Sequence, residues 1–520
     1  MKFSLNILAV ILLLALASAT TGTYHDSESS DHLQLDSTFL SVSTIAAHLD
    51  VPWEITWGPD NWIWFTEQSG TVSRVNPETG EQKLLLRIIP DVYRNRTLGL
   101  LCMALHPDMK NFPYVFLNYT YLKGRDLRSK WVRYSYDGAS LKDPLTLLEV
   151  PADVGHNGSR LTFAPDGKIM LATGDADPKN DAANSGNAQK LETPSGKILR
   201  LNIDGTIPDD NPFPGSAVWA LGFRVPQGLV YASNGNLYSA EHGNVTDDEV
   251  NLIKRGRNYG YPNVSGVCDQ PHEKDYCVEH DIQEPLMAWT PTIAPAGLDY
   301  YNNPAIAEWQ NSLLLVTLKT QSLRVLKLNE RGDAVVKEKV YFEKRFGRLR
   351  DVCVSPQGDV YISTSNRDWN PALGFPVEND DRIIRISKNK IAKAVLKSPA
   401  AETRVAKPAA KPITPTKGSV VYNNYCASCH KADGTGVVGT FPPLIGSSRA
   451  SGDKKELIRT VLHGLSGPIT VNGVKYDMEM PAFNFLSDED VADVVEYVQM
   501  SFGKKQAKVS AAEVNVMRSK

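Results

Sequence analysis

A turn signal recurs six times between residues 58 and 358, and it limits the fold more than any other feature of the chain. The copies are Gly58-Pro59-Asp60, His106-Pro107-Asp108, Pro165-Asp166-Gly167, Ser233-Asn234-Gly235, Tyr301-Asn302-Asn303 and Pro356-Gln357-Gly358. Alternating apolar and β-branched residues flank each copy, and runs such as Lys168–Ala172, Asn236–Ser239 and Asp359–Ser363 follow directly. That is the pattern of short strands joined by tight turns. Counted at their central residues, successive copies lie 48 to 68 residues apart. One such unit is a small sheet that cannot bury both faces, but a ring of them can. Residues 39–388 are therefore expected to form an all-β, six-bladed β-propeller, with inserts of unequal length looping out on one face. A pair of sandwiches with coincident turn spacing is the competing architecture.

The flanks read differently. Residues 1–19 combine Lys2, an apolar run from Leu5 to Ala17 and a small-x-small site at Ala17-Ser18-Ala19, the pattern of a cleaved export signal. The run is shorter than a membrane-spanning helix requires, so an anchor is the weaker reading and no membrane span is expected. Residues 20–38 are polar and read as disordered. Residues 389–417 hold six Lys and four Pro with a single Glu and no aromatic residue, the composition of a semi-stiff linker. Helical periodicity takes over in residues 418–503, where Ser487 is placed as an N-cap and Val491, Val494, Val495 and Val498 as an apolar stripe. Residues 504–520 read as a frayed basic tail. With 56 Lys+Arg against 59 Asp+Glu, the formal net charge of -3 argues against nucleic acid as a partner. Six cysteines are too few for a disulfide-built scaffold. Cys268 and Cys277 flank a short loop suited to a disulfide, whereas Cys102 and Cys353 sit in apolar strands and read as buried hydrophobes.

Cys426-Ala427-Ser428-Cys429-His430 is the most specific motif in the chain. Two thiols on one helical turn can add to the two vinyl groups of haem, and the adjacent imidazole then lies beneath the iron. A redox Cys-x-x-Cys or half a zinc site are the alternatives; no second cysteine pair lies nearby to complete a zinc site. Covalent haem c is therefore expected, with Cys426 and Cys429 holding the cofactor and His430 as an iron ligand. Met480-Pro481-Ala482-Phe483, ahead of the last amphipathic segment, and Phe441-Pro442-Pro443-Leu444 resemble small class I cytochromes c. The resemblance implies a small all-α cytochrome c domain with Met480 as the sixth ligand; Met478, two residues away, is the alternative.

Several polar groups in the propeller region fall at strand ends and loops: Gly155-His156-Asn157-Gly158, Gly174-Asp175, Gly222-Phe223-Arg224, Glu241-His242-Gly243, Lys319 and Arg348-Leu349-Arg350. Gathered at one mouth, four cations suit a carboxylate-rich ligand. His156–Phe163, Gly196–Asn202, Asp248–Ile253, Asn258-Tyr259-Gly260 and Arg348–Val352 resemble, in order, the soluble PQQ-dependent glucose and aldose sugar dehydrogenases. That family is a six-bladed propeller holding pyrroloquinoline quinone (PQQ) and calcium. The resemblance implies that His156 takes the proton from a sugar hydroxyl, Asp175 orients His156, and Arg224 polarises the quinone. It further implies that Lys319, Arg348 and Arg350 hold the cofactor's carboxylates, and that the carbonyls of Gly243 and Asn244 bind calcium.

Three positions depart from the family pattern. Val225 follows Arg224 where the family has Asn, Thr97 replaces a Gln on the substrate side, and Asn244 replaces Pro. The expected activity is that of a periplasmic or secreted quinohaemoprotein dehydrogenase. It would oxidise an aldose or related sugar alcohol and pass electrons through its own haem to a soluble cytochrome or respiratory carrier. A non-catalytic carbohydrate-binding propeller and a calcium-dependent lactonase-type hydrolase are the other readings; hydrolysis has no need of a haem.

Overall fold

The computed structural model describes residues 31–89, 91–177, 186–389, 416–431, 433–436, 439, 441–478, 480, 482–484, 486–504 and 508–518. The export signal, Pro481 and most of the linker lie outside these residues. Six antiparallel sheets stand in a ring. Five are consecutive four-stranded blades, opening with Pro52–Trp57, Leu100–Leu105, Gly158–Phe163, Val225–Tyr231 and Pro295–Tyr301 as their innermost strands. The sixth opens with Leu349–Val354 and takes its outer strands from the start of the propeller: Phe39–Ala46 pairs with Ile383–Lys388, and Asp31–Gln34 adds an edge. The sixth innermost strand lies against the first, which closes the ring and leaves only short outer edges.

All six turns occupy one position: each joins the innermost strand of a blade to its second strand. Antiparallel pairing then fixes the opposite end of the ring. There every second strand finishes and every innermost strand begins, so the residues just beyond those strand ends share one mouth. Apolar side chains on the two faces of each blade interlock with those of the next. Trp64, Trp131, Trp309, Tyr238 and Phe116 are among the largest fully buried side chains.

Four differences from the sequence reading concern boundaries and the small domain. Residues 31–38, read as disordered, supply the edge strand Asp31–Gln34, and the Glu308 carboxylate accepts from the main chain and hydroxyls of Ser37 and Thr38. The last domain opens inside the expected linker, with Thr416 capping a helix over Lys417–Val421. The tail is not frayed throughout: Ala511–Arg518 is a helix whose Val514 and Met517 are buried against the Asp488–Ser501 helix and its neighbours. The domain is also not purely helical, because Ile469–Val471 and Val474–Tyr476 form a hairpin. Its core is otherwise as the periodicity indicates. Ser487 accepts from Asp490 N, and Val491, Val494, Val495 and Val498 are buried. At Gly418 the first helix crosses Asp488–Ser501 so closely that a Cβ would lie 2.1 Å from the Asp493 carbonyl.

Candidate active site and haem pocket

The sequence-predicted site residues of the propeller stand at the strand ends that face this mouth. His156 and Arg224 precede the innermost strands of the third and fourth blades, and Arg348 and Arg350 bracket the start of the sixth. Asp175, Gly243, Asn244 and Lys319 follow second strands. His156 Nδ1 lies 2.7 Å from Asp175 Oδ1, and Asp175 is fully buried. Since a carboxylate only accepts, Nδ1 carries the proton. Arg224 Nη2 lies 3.2 Å from His156 Nε2, so the guanidinium donates to the remaining lone pair. The imidazole is thereby held in one tautomer with Nε2 as its basic atom. The main chain reinforces the geometry: Asp175 N donates to Arg224 O, and Ala176 N to His156 O. Gly174 permits this crossing, since a Cβ there would meet the His156 carbonyl at 2.1 Å.

The arginines gather around His242. Burial, then the charges of Arg224 and Arg350, push this imidazole down to about 3, so it is neutral and its Nε2 donates to Pro295 O at 2.8 Å. Arg348 and Arg350 share Asp368, at 3.2 and 3.1 Å. Arg350 also donates to Gln227 Oε1. Lys319 stands apart from this cluster, half-buried, with Nζ donating to Thr292 at 2.8 Å. The Gly243 carbonyl accepts from Arg224 Nη1 at 2.8 Å. Buried Nε groups of Arg224, Arg348 and Arg350 have no acceptor among the described residues. Donors of this kind are costly to leave unmet, and they fit an incoming ligand rich in carboxylates and carbonyls.

Several carboxylates complete the site, of which Asp153 lies outside every motif the sequence offered. Asp153 Oδ1 accepts from Gly155 N and His156 N, which fixes the loop carrying the base. Glu241 accepts from Arg224 N at 2.7 Å, and Asp248 from Gly243 N at 2.8 Å. Asp248 also takes the amides of Ile293 and Ala294, joining the fourth blade to the fifth. Burial nevertheless raises its carboxyl to about 6. Tyr261, a side chain the motifs did not single out, stands against Asp175 and Arg224, with burial holding its hydroxyl protonated. Of the departures, Val225 is buried at the start of its strand. Thr97 donates to Val154 O at 2.8 Å, so its hydroxyl pins the loop leading to His156.

The second site is apolar. Cys426, Cys429, His430 and Met480 line one cavity of about 410 Å³. His430 Nδ1 lies 2.9 Å from the Pro442 carbonyl, so it donates there and leaves the Nε2 lone pair for a metal. Burial lowers the His430 pKa, which favours the neutral ligand form. Met480 is pinned by two main-chain hydrogen bonds with Leu465 and packs on the domain core. Met478 is 43% exposed, and its sulfur faces Arg96 Nη1 at 3.6 Å. Cys268 and Cys277 form a disulfide, and Cys102 and Cys353 are buried.

Comparison with known proteins follows the same division. The family described as Glucose / Sorbosone dehydrogenase matches residues 49–371, and Cytochrome c matches residues 415–501. Quinoprotein glucose dehydrogenase B of Acinetobacter calcoaceticus is 32% identical over 404 residues, spanning 62% of this chain and 84% of that protein. The PQQ-bound form of aldose sugar dehydrogenase from Streptomyces coelicolor is similar in structure with a TM-score of 0.57 and 30% identity, over 67% of this chain and 98% of that one. Cytochrome c-552 of Thermus thermophilus is 37% identical over 112 residues, 20% of this chain and 85% of that protein. The chain belongs to the glucose/sorbosone dehydrogenase family of oxidoreductases and carries a cytochrome c domain after its propeller.

Proposed function

We propose that this protein is an exported quinohaemoprotein that oxidises an aldose or related sugar alcohol at the propeller mouth and delivers the electrons to its own haem c. The observation that carries this reading is the arrangement Asp175–His156–Arg224. A neutral imidazole with a fixed tautomer, backed by a buried carboxylate, is built to accept a proton at Nε2. His156 takes the proton from the sugar hydroxyl, and Asp175 stabilises the imidazolium that forms. Arg224 releases Nε2 to the substrate and turns its guanidinium to developing negative charge. Lys319, Arg348 and Arg350 hold ligand carboxylates, the arginines using the Nε groups left unmet in the protein alone. Bound PQQ supplies the two-electron acceptor.

Calcium is a hard cation, and the carbonyl oxygens of Gly243 and Asn244 would hold it. No cluster of three or more His, Cys, Asp or Glu able to hold a metal is found among the described residues. In the second domain, Cys426 and Cys429 would attach haem, and His430 and Met480 would ligate its iron. The acceptor beyond the haem is a one-electron carrier, a soluble cytochrome or a respiratory component. No helix among the described residues is long and apolar enough to cross a membrane, and the export-signal pattern of residues 1–19 supports a place in the periplasm or the medium.

The deciding experiment follows haem absorbance anaerobically in exported protein reconstituted with PQQ and calcium while aldoses are added. Ferric haem should be reduced only when cofactor, calcium and sugar are all present. A haem that stays ferric across a broad panel of sugars and alcohols, despite stoichiometric PQQ, overturns sugar oxidation and leaves a ligand-binding propeller.

A further inference from the structure

One wall of the haem pocket comes from the other domain. Asn244, Val245, Thr292 and Lys319 of the propeller line the same cavity as the haem-attachment motif. Three contacts hold the domains together around it. Val245 packs on the core of the cytochrome c domain, the rings of Trp369 and Phe441 lie 5.8 Å apart, and Arg96 reaches Met478. Arg96 also stands 6.0 Å from the Trp369 ring, so the last two contacts are continuous with each other.

The wall adjoins the chemistry. His156 Nε2 is 3.2 Å from Arg224 Nη2, and the same Nη2 is 3.5 Å from Asn244 Oδ1. Asn244 is itself part of the haem-pocket wall. Two side chains therefore separate the basic atom of the sugar site from the haem cavity. Lys319 stands in the same wall, close enough for its charge to be felt by the thiols of Cys426 and Cys429.

We propose that the cytochrome c domain works docked on the propeller mouth, with Asn244 and Lys319 as a shared wall across which electrons pass from the sugar site to the haem. The proposal rests on the sugar-oxidation reading for the source of those electrons, but docking itself does not. Converting a sugar carbinol to a carbonyl or lactone gives up two electrons and two protons. One haem iron takes a single electron per passage, going from ferric to ferrous. Each electron must then leave to an external one-electron carrier before the next arrives, and the protons leave through His156 and solvent. Electron tunnelling weakens exponentially with distance, so a haem walled in by the donor site needs no search by a swinging domain. A lysine ammonium in that wall also disfavours the more positive ferric state and strengthens the haem's hold on the arriving electron.

The test uses the full chain with haem attached and PQQ left out, so that no sugar chemistry is involved. The haem reduction equilibrium is titrated in wild type, Lys319→Gln and Trp369→Ala. Docking predicts that both propeller substitutions move the equilibrium several-fold toward ferric haem, the first by removing a cation and the second by admitting water. Potentials unchanged in both variants overturn the proposal, because an undocked haem is blind to the propeller. After PQQ and calcium are restored, single-turnover reduction by sugar in wild type should be first order and independent of protein concentration. Trp369→Ala should slow it at least ten-fold while turnover with a dye that draws electrons from the propeller is retained. Equal haem-reduction rates in wild type and Trp369→Ala also overturn the proposal. Shifted potentials with no sugar-driven reduction in any form leave docking intact and defeat the sugar reading alone.

Discussion

At the mouth of the central channel, Arg224, Arg348 and Arg350 surround His242 with buried donors to spare. Toward the hairpin-turn end, a polar cavity of about 270 Å³ is lined by Glu54, Asp299 and Asp351 with Arg160 as its one cation. The Trp53 ring stands between the two regions, 5.5 Å from the Arg350 guanidinium carbon and 4.6 Å from that of Arg160. The deep charges are paired with one another, although Arg160 Nη2 also has no acceptor among the described residues. Arg160 pairs with Glu54 and with Asp351, the latter at 3.1 Å. Asp351 accepts from Ile55 N, and Asp299 from Val354 N, each stapling one blade to the next. The same kinds of side chain thus do different work at the two depths. Deep in the channel carboxylates outnumber the one cation and tie blade to blade, and at the mouth three arginines gather with buried donors that suit a ligand. A carboxylate-rich molecule is drawn to the mouth and repelled from below it.

The comparison is broken most directly at its reactive centre. His156→Ala should lower sugar-dependent haem reduction by about 10²- to 10⁴-fold, the range for loss of a general base, with the melting temperature little changed. A loss of less than ten-fold would remove His156 from that role. Arg160→Met should do the reverse. It leaves two buried carboxylates without their cation and should cost about 3–5 kcal/mol of stability in urea unfolding, while molecules that remain folded keep their turnover. Arg350→Met sits between the two. Loss of a charged hydrogen-bond donor should weaken PQQ binding by about 1.5–3 kcal/mol in equilibrium dialysis. If Arg350→Met instead lowers stability and leaves PQQ affinity alone, the mouth arginines are structural too, and the contrast between the two depths fails.

The ring was legible in the sequence because its signal is local and repeated: all six turns fall on the same hairpin of each blade. The closing strand was not. Asp31-His32-Leu33-Gln34 is an edge strand with little burial, so it shows no apolar alternation. The last helix did carry a signal, Ala511, Val514 and Met517 at three-residue spacing, that the surrounding charge concealed. Site residues within short motifs, such as His156 and Arg224, could be found from the chain alone. Asp368 could not, because it lies 18 and 20 residues beyond the two arginines it bridges and only the blade's second strand returns it to them. Thr97 looked like a lost glutamine, and it is the hydrogen bond to Val154 that gives it a place in positioning the base. Docking of the haem domain was also out of reach, since Asn244, Lys319 and Trp369 share no spacing with Cys426.

The smallest effect probes how far the buried acidity extends. Burial holds the Asp299 carboxyl at about 7 against an ordinary value of 3.8, although the amides of Tyr300 and Val354 favour its ionised form. The folded protein therefore keeps a proton that the unfolded chain has released between about pH 4 and pH 7, and stability falls as pH rises through that window. A three-unit shift sets a ceiling of about 4 kcal/mol. Asp299 lines the cavity and is only half-buried, which reduces the effect to about 1–2 kcal/mol. Asp299→Asn cannot ionise, but it also gives up one of two acceptor oxygens, a loss of about 1 kcal/mol. The variant should be less stable than wild type at pH 4, overtake it near pH 6 and lead by about 1 kcal/mol at pH 8, read from urea unfolding at the three pH values. A difference that stays constant with pH would mean that Asp299 is ionised throughout, and that the deep channel is wet enough to solvate a charge that the comparison takes to be buried.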